Sequence, residues 1–175
     1  MGSQDDPRLS HFAVSEAGDI SFYAVRGGTV RRFQSEASMN AMKRIAPQII
    51  IFCLGGNDID SSDAHPLRVG MDLFQLASKL KHSIHGLRRV GFCQVVERKR
   101  WRQLSVEGGR VAVQDINEFL QAACVEHECF FYWEHKGLAF SRFNIFRTDG
   151  VHFSNYGNKK FFRSVRGAIL RAVRS

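Results

Sequence analysis

Several signatures are missing from these 175 residues, and each gap closes a class of function. No apolar run approaches the roughly 20 residues needed to cross a bilayer, and no secretory leader is expected. An intracellular, cytoplasmic protein with no membrane span is expected. The four cysteines lack any recognised zinc spacing. Cys53 and Cys93 sit inside apolar, strand-like runs, while Cys124 and Cys129 flank His127. All four are expected to be reduced thiols, mostly in the core, with no metal bound. Neither glycine turn is followed by a P-loop lysine or has the spacing of a dinucleotide fingerprint, which counts against an α/β phosphate or nucleotide binder. Nothing repeats and no low-complexity linker divides the chain, so residues 1–175 read as a single domain. No cofactor is expected, and the oligomeric state is left open.

Acidic residues are scarce in two places. From Lys159 to the end there are six basic residues and no acid, and Arg88 to Arg110 holds seven basic residues against Glu97 and Glu107. Together they account for much of the net charge of +8. Such clusters can draw in phosphates or an acidic surface, which keeps nucleic acid open as a partner. No nucleic-acid-binding motif accompanies them, and Trp101 is a lone aromatic rather than a stacking platform. The simpler reading is a solvated basic face. In that reading Arg98, Lys99, Arg100 and Arg102 lie in a solvent loop, and removing their charges changes stability by no more than about 0.5 kcal/mol.

What the chain does have is an alternation of strand-like and helix-like segments. The most informative stretch is Gln48 to Asp60, where the apolar run Ile49–Leu54 stops at Gly55-Gly56-Asn57-Asp58. A short, β-branched, doubly apolar run of this kind reads as a strand buried on both faces of a parallel sheet. Such sheets bind ligands just past the carboxyl ends of their strands, where these glycines and polar side chains fall. A tight turn with no further role explains Gly-Asn-Asp equally well. Strands are also expected at Asp19–Val25, Val90–Val96 and Cys129–Trp133. Helices are expected at Ser35–Ile45, Leu67–Ile84 behind Pro66, Val111–Val125 and Tyr156–Val173. Leu9–Ser15 reads as the tail of a helix. The pattern predicts an α/β fold: a four-stranded parallel sheet inside a three-layer α/β/α sandwich.

A second informative stretch is Thr148 to Gly157, TDGVHFSNYG, leading into the last helix. One turn can bring Asp149 and His152 together, where a carboxylate would fix the imidazole's tautomer and make it a general base. Alternatively Asp149 only starts a turn and His152 only caps a helix, for which Ser154 or Asn155 could then serve as N-cap.

Three segments occur in order: Gly27-Gly28-Thr29, Gly55-Gly56-Asn57-Asp58 and Asp149-Gly150-Val151-His152. In this combination, from about residue 8 to the end, the chain resembles the SGNH (GDSL-like) hydrolases, a family of serine esterases, lipases and acylhydrolases with a flavodoxin-like parallel sheet. The tail DGVHFSNYGNKKFF looks most like esterase-type SGNH domains of animal mobile-element, retroelement-derived proteins. The resemblance implies Asp149 and His152 as the acid and base of a triad acting on a small ester or acylated molecule. It implies an oxyanion hole combining a backbone N–H of Gly27 or Gly28 with the side-chain amide of Asn57. Preorganised neutral donors of that kind stabilise the negative charge that builds on an attacked carbonyl oxygen. The three segments are therefore expected to converge on one rim of the sheet.

The family's first block, an apolar strand ending in Gly-Asp-Ser, does not occur in the sequence. By position the nucleophile would fall near Gln4, and Ser3 is the nearest serine, with nothing before it to anchor it in a sheet. The expected domain is thus an SGNH fold lacking its first strand, and either Asp19–Val25 pairs directly with the strand at Ile49 or the sheet is incomplete. Function divides accordingly. One reading is a serine esterase, truncated at its N-terminal edge and impaired as written. The other is a non-catalytic SGNH-fold module of a mobile-element protein with a basic, nucleic-acid-contacting surface.

Overall fold

The computed structural model describes residues 9–14, 18–61, 64–138 and 145–174. Its centre is a parallel sheet of three strands, β3 (Ile49–Phe52), β4 (Arg89–Cys93) and β5 (Phe130–Trp133), in that spatial order. Phe52 pairs with Phe92 and Cys93 with Trp133, so the carboxyl ends of all three strands reach one rim.

Alternation along the strands sorts their side chains onto two faces. On one face Ile50, Phe52, Val90, Phe92, Phe130 and Tyr132 meet α3 (Pro66–Ser83) and α4 (Val106–Val125). Leu73, Leu76 and Leu80 of α3 and Ile116 and Leu120 of α4 repeat every three or four residues and are 0–1% exposed. Each such side chain contributes about 1.5–3 kcal/mol by leaving water, which makes this face the main core. On the other face Ile49, Ile51, Cys93, Phe131 and Trp133 meet Val165, Ala168 and Ala172 of α5 (Asn155–Arg174). The result is the three-layer α/β/α arrangement predicted from the sequence.

Several helix ends follow local chemistry. Ser105 accepts from Gly108 N, so α4 starts five residues before the expected Val111. Ser154 accepts from Gly157 N at 3.1 Å and caps α5. A one-turn helix, α1 (Val30–Phe33), capped by Thr29, precedes α2 (Glu36–Ile45) and was not anticipated.

The amino-terminal region departs from expectation in two ways. Leu9–Val14 is a strand, β1, rather than the tail of a helix, and it pairs antiparallel with β2 (Gly18–Tyr23). Six residues can close only about two helical hydrogen bonds, whereas the hairpin offers a ladder along their whole length. β2 therefore does not join the parallel sheet, which among the described residues has three strands instead of four. Of the two outcomes expected in the absence of a Gly-Asp-Ser strand, the incomplete sheet is the one found. β2 is instead held from the side. The Tyr23 ring meets Phe33 edge-on, its hydroxyl donates to Ser38 Oγ at 3.2 Å, and Phe22 lies edge-on to Phe162 of α5.

Candidate active site

The chain leaves β3 through a turn only glycine makes easily. Gly55 has φ +113°, and a Cβ there would sit 2.9 Å from Val95 Cγ2. The N–H groups of Asp58 and Ile59 fold back onto Gly55 O at 3.0 and 3.1 Å. That turn aims two side chains at the glycine loop after β2. Asn57 Nδ2 donates to Gly28 O at 3.0 Å, and Asp58 Oδ1 accepts from Val30 N at 2.8 Å at the start of α1. Within the loop, Gly28 N donates to Val25 O at 2.8 Å, closing a tight turn. The N–H of Gly27 and the second N–H of Asn57 have no acceptor among the described residues. Asp58 Oδ2 is buried without a hydrogen-bond partner among the described residues, and burial, only partly offset by the Val30 N–H, pushes this carboxyl up to about 6.

Arg98, beyond β4, overturns the reading of a simple solvent loop. Its side chain is only 14% exposed. The guanidinium lies against Gly56, donates to Asn57 Oδ1 at 2.8 Å, faces the buried Asp60 carboxylate at 3.6 Å and sits over the Trp101 ring. Asp60 Oδ1 in turn accepts from Arg102 N at 2.6 Å and Gln103 N at 3.3 Å. A planar, always-charged fork can serve an amide oxygen, a carboxylate and an indole face at once. Because Arg98 occupies the oxygen of the Asn57 amide, the NH₂ end is fixed toward the glycine loop.

The next two residues reach the third segment. The N–H groups of Lys99 and Arg100 donate to Gly150 O at 2.9 and 3.2 Å. Gly150 has φ +71°, and a Cβ there would crowd Lys99 Cβ at 3.0 Å. Around it, Asp149 Oδ1 accepts from Val151 N at 2.8 Å and His152 N at 2.9 Å, and Oδ2 meets His152 Nδ1 at 2.9 Å. The backbone N–H groups of His152 and Val151, then the His152 ring, hold the Asp149 carboxyl well below the usual carboxylate range. An ionised Asp149 assigns the ring proton to Nδ1 and leaves Nε2 as the basic nitrogen, on a side chain 73% exposed.

The structure therefore ties Gly28, Asn57, Arg98, Lys99, Gly150, Asp149 and His152 into one run of bonded neighbours along the rim. Ser3 lies outside the described residues. A buried serine–histidine contact occurs elsewhere. Ser164 Oγ meets His135 Nδ1 at 2.8 Å and accepts from Trp133 Nε1 at 3.0 Å, but His135 is 3% exposed and packs on Phe161. Burial lowers the His135 pKa to about 4, so it is a neutral strut of the α5 interface rather than a base open to substrate. Among the described residues no cluster of His, Cys, Asp or Glu could hold a metal ion, and no helix is long and apolar enough to cross a membrane.

Sequence reasoning overlooked Arg98 and Asp60 as site residues, and also Asn117. From inside the apolar face of α4, Asn117 accepts from Val95 N at 2.8 Å and donates to Val95 O at 3.0 Å. It thereby fixes the exit of β4 against Gly55. An amide beside Ile116 and Leu120 was the available signal. Cys53, expected in the core, is exposed at the end of β3.

No family model and no curated protein matches the sequence. Comparison with solved structures does give matches. A Bacteroides fragilis protein assigned as an acylhydrolase superposes with a TM-score of 0.67 at 14% identity, over 84% of this chain and 72% of that one. The fold is that of the GDSL-like, or SGNH, hydrolases. A GDSL-like lipase from Bacteroides thetaiotaomicron gives 0.64 at 14% identity, over 83% and 73% of the two chains. A family 3 carbohydrate esterase from Clostridium thermocellum gives 0.61 at 17% identity, over 85% and 68%. The three-stranded sheet with its flanking helices is thus an SGNH-type sheet lacking the first strand.

Proposed function

We propose that this rim is the acid–base and oxyanion half of a serine-esterase centre acting on a small ester or acylated molecule. The observation that carries the reading is the Asp149–His152 pair, bonded through Gly150 to the loop whose Arg98 holds Asn57. His152 Nε2 takes the proton from an attacking serine hydroxyl and returns it to the leaving alcohol, while Asp149 stabilises the imidazolium between the two steps. The Asn57 NH₂ and the Gly27 N–H, which has no other acceptor among the described residues, supply the oxyanion donors. Each is worth about 100- to 1000-fold in rate. Gly28, whose N–H is engaged with Val25 O, serves as the anchor for Asn57 rather than as a donor.

The nucleophile is the remaining part. The 175 residues contain no Gly-Asp-Ser, and Ser3 is the nearest serine by position. Hydrolysis of nitrophenyl acetate by the chain as written is therefore expected to be very slow or undetectable. Adding an apolar strand ending in Gly-Asp-Ser upstream should raise it, and His152→Ala in that protein should remove most of the gain. A folded, strand-restored protein that is inactive, or one indifferent to His152→Ala, would refute the esterase reading. Turnover by the unmodified chain that depends on both His152 and Ser3 would instead place the nucleophile at Ser3.

A further inference from the structure

The acid-free helix α5 carries more charge than packing or the rim chemistry uses. Its inner face is apolar and fixed: Val165, Ala168 and Ala172 are buried against the sheet, and Ser164 accepts from Trp133 Nε1 at 3.0 Å. On its outer face Lys159, Arg163, Arg166 and Arg174 are all exposed. At 100° per residue these four fall within an arc of about 80°, and at 1.5 Å per residue they run for about 22 Å. None of the four has an acidic partner among the described residues, whereas Arg68, Arg98 and Arg110 pair with Asp72, Asp60 and Glu97. Four unneutralised cations in a row repel one another. Held on a rigid helix with no acid between 155 and 174, they form a preorganised complement to a line of negative charge.

An aromatic side chain lies beside the same row. Phe162 is 55% exposed about 40° beyond the arc on the Arg166 side, its ring braced edge-on by Phe22 at 6.0 Å. A membrane-surface helix turns its apolar face to the lipid, but here that face is spent on the sheet. What points outward is cationic, with two large aromatic rings beside it, Phe162 and the 48%-exposed Tyr156. Cations along a backbone track and a ring offered for stacking are the two parts of a single-strand nucleic-acid surface. We infer that the outer face of α5 binds a single-stranded nucleic acid, with Lys159, Arg163, Arg166 and Arg174 on phosphates and Phe162 stacked on a base. This surface is separate from the proposed ester chemistry and does not depend on it.

The test is fluorescence anisotropy of a labelled 20-nucleotide oligo(U) titrated with the full chain at several salt concentrations. Four phosphate contacts on a single strand predict a log–log salt slope of about −2.8, so affinity should fall about 50-fold as salt rises fourfold. Replacing the four cations with glutamine should flatten the slope. All four are exposed, so the thermal melt of the variant should match the parent. Phe162→Ala, which leaves the charges in place, should weaken binding by at least about 5-fold with the slope retained. Binding unchanged in the glutamine variant, or unchanged by Phe162→Ala, would overturn the inference. So would binding to vesicles containing phosphatidylserine with none to the oligonucleotide.

Discussion

Replacing Arg98 with alanine should show whether the loop after β4 is a structural tie or a solvated charge run. The substitution strips Asn57 Oδ1 of its 2.8 Å donor, uncovers one side of Trp101 and leaves the Asp60 carboxylate, 4% exposed, without its cation. Removing one member of a buried ion pair costs about 3–5 kcal/mol when the remaining charge is uncompensated. Asp60 keeps two backbone N–H donors, from Arg102 and Gln103, and the ion pair is a loose 3.6 Å. These lower the ion-pair loss to about 1–2 kcal/mol, to which the hydrogen bond from a charged donor adds about 1.5 kcal/mol. A total near 3 kcal/mol should lower Tm by about 6–12 °C in a domain of this size. Arg100→Ala and Arg102→Ala, which remove exposed side chains but no backbone donor, should stay within about 0.5 kcal/mol. Urea denaturation followed by circular dichroism measures all three. A double-mutant cycle with Asn57→Ala should give a coupling of at least about 0.5 kcal/mol, because the two side chains are bonded. If Arg98→Ala costs no more than Arg102→Ala, the account of the clamp is wrong.

Asp58 is more easily protonated in the fold than in the unfolded chain, so its burial penalty appears as pH rises from about 4 to about 6. The stability of the parent relative to Asp58→Asn should therefore fall by about 2 kcal/mol across that window and stay level above it; a flat difference between pH 4 and 7 would contradict the burial of Oδ2. His135 acts in the opposite sense: its pKa is depressed to about 4, so its contribution is complete above about 6.5 and is lost as pH falls toward 4, and the parent should lose stability relative to His135→Gln as acid is added. Because the two groups offset each other between pH 4 and 6, only the single variants separate them. Gly109→Ala would place a methyl group against the Trp101 indole, so it should cost about 1–3 kcal/mol and shift the tryptophan emission. An unshifted spectrum with unchanged stability would show that the indole does not rest there.

The layers of the fold were legible because the apolar periods are strong. The runs at Ile49 and Phe130 are unbroken, the one at Val90 is broken only by Gln94, and Leu73, Leu76 and Leu80 mark one helical face. Asp149 and His152 were legible because their contact is local, three residues apart on a turn. Arg98 was not, since its partners Asn57 and Asp60 lie 41 and 38 residues earlier and a run of basic residues ordinarily means solvent. Composition cannot report that Arg98 in ERKRWR turns inward while Arg100 and Arg102 stay exposed. The hairpin of β1 and β2 was missed for a related reason. A six-residue segment carries too little periodicity to choose between a helix turn and a ladder, and its partner strand decides.

The incomplete sheet has a consequence for solvent exchange. Among the described residues β3 pairs on one side only, with β4. In a parallel ladder, alternate residues of a strand direct their N–H and C=O groups to opposite neighbours. Half of the β3 amides therefore face an unpaired edge, beside isoleucines that are only partly buried. In a central strand every amide would open to deuterium only on global unfolding. Here, alternate amides between Ile49 and Phe52 should exchange orders of magnitude faster than their neighbours. An added strand that truly seats against β3 would slow those same amides, giving a residue-by-residue record of docking that needs no enzymatic turnover.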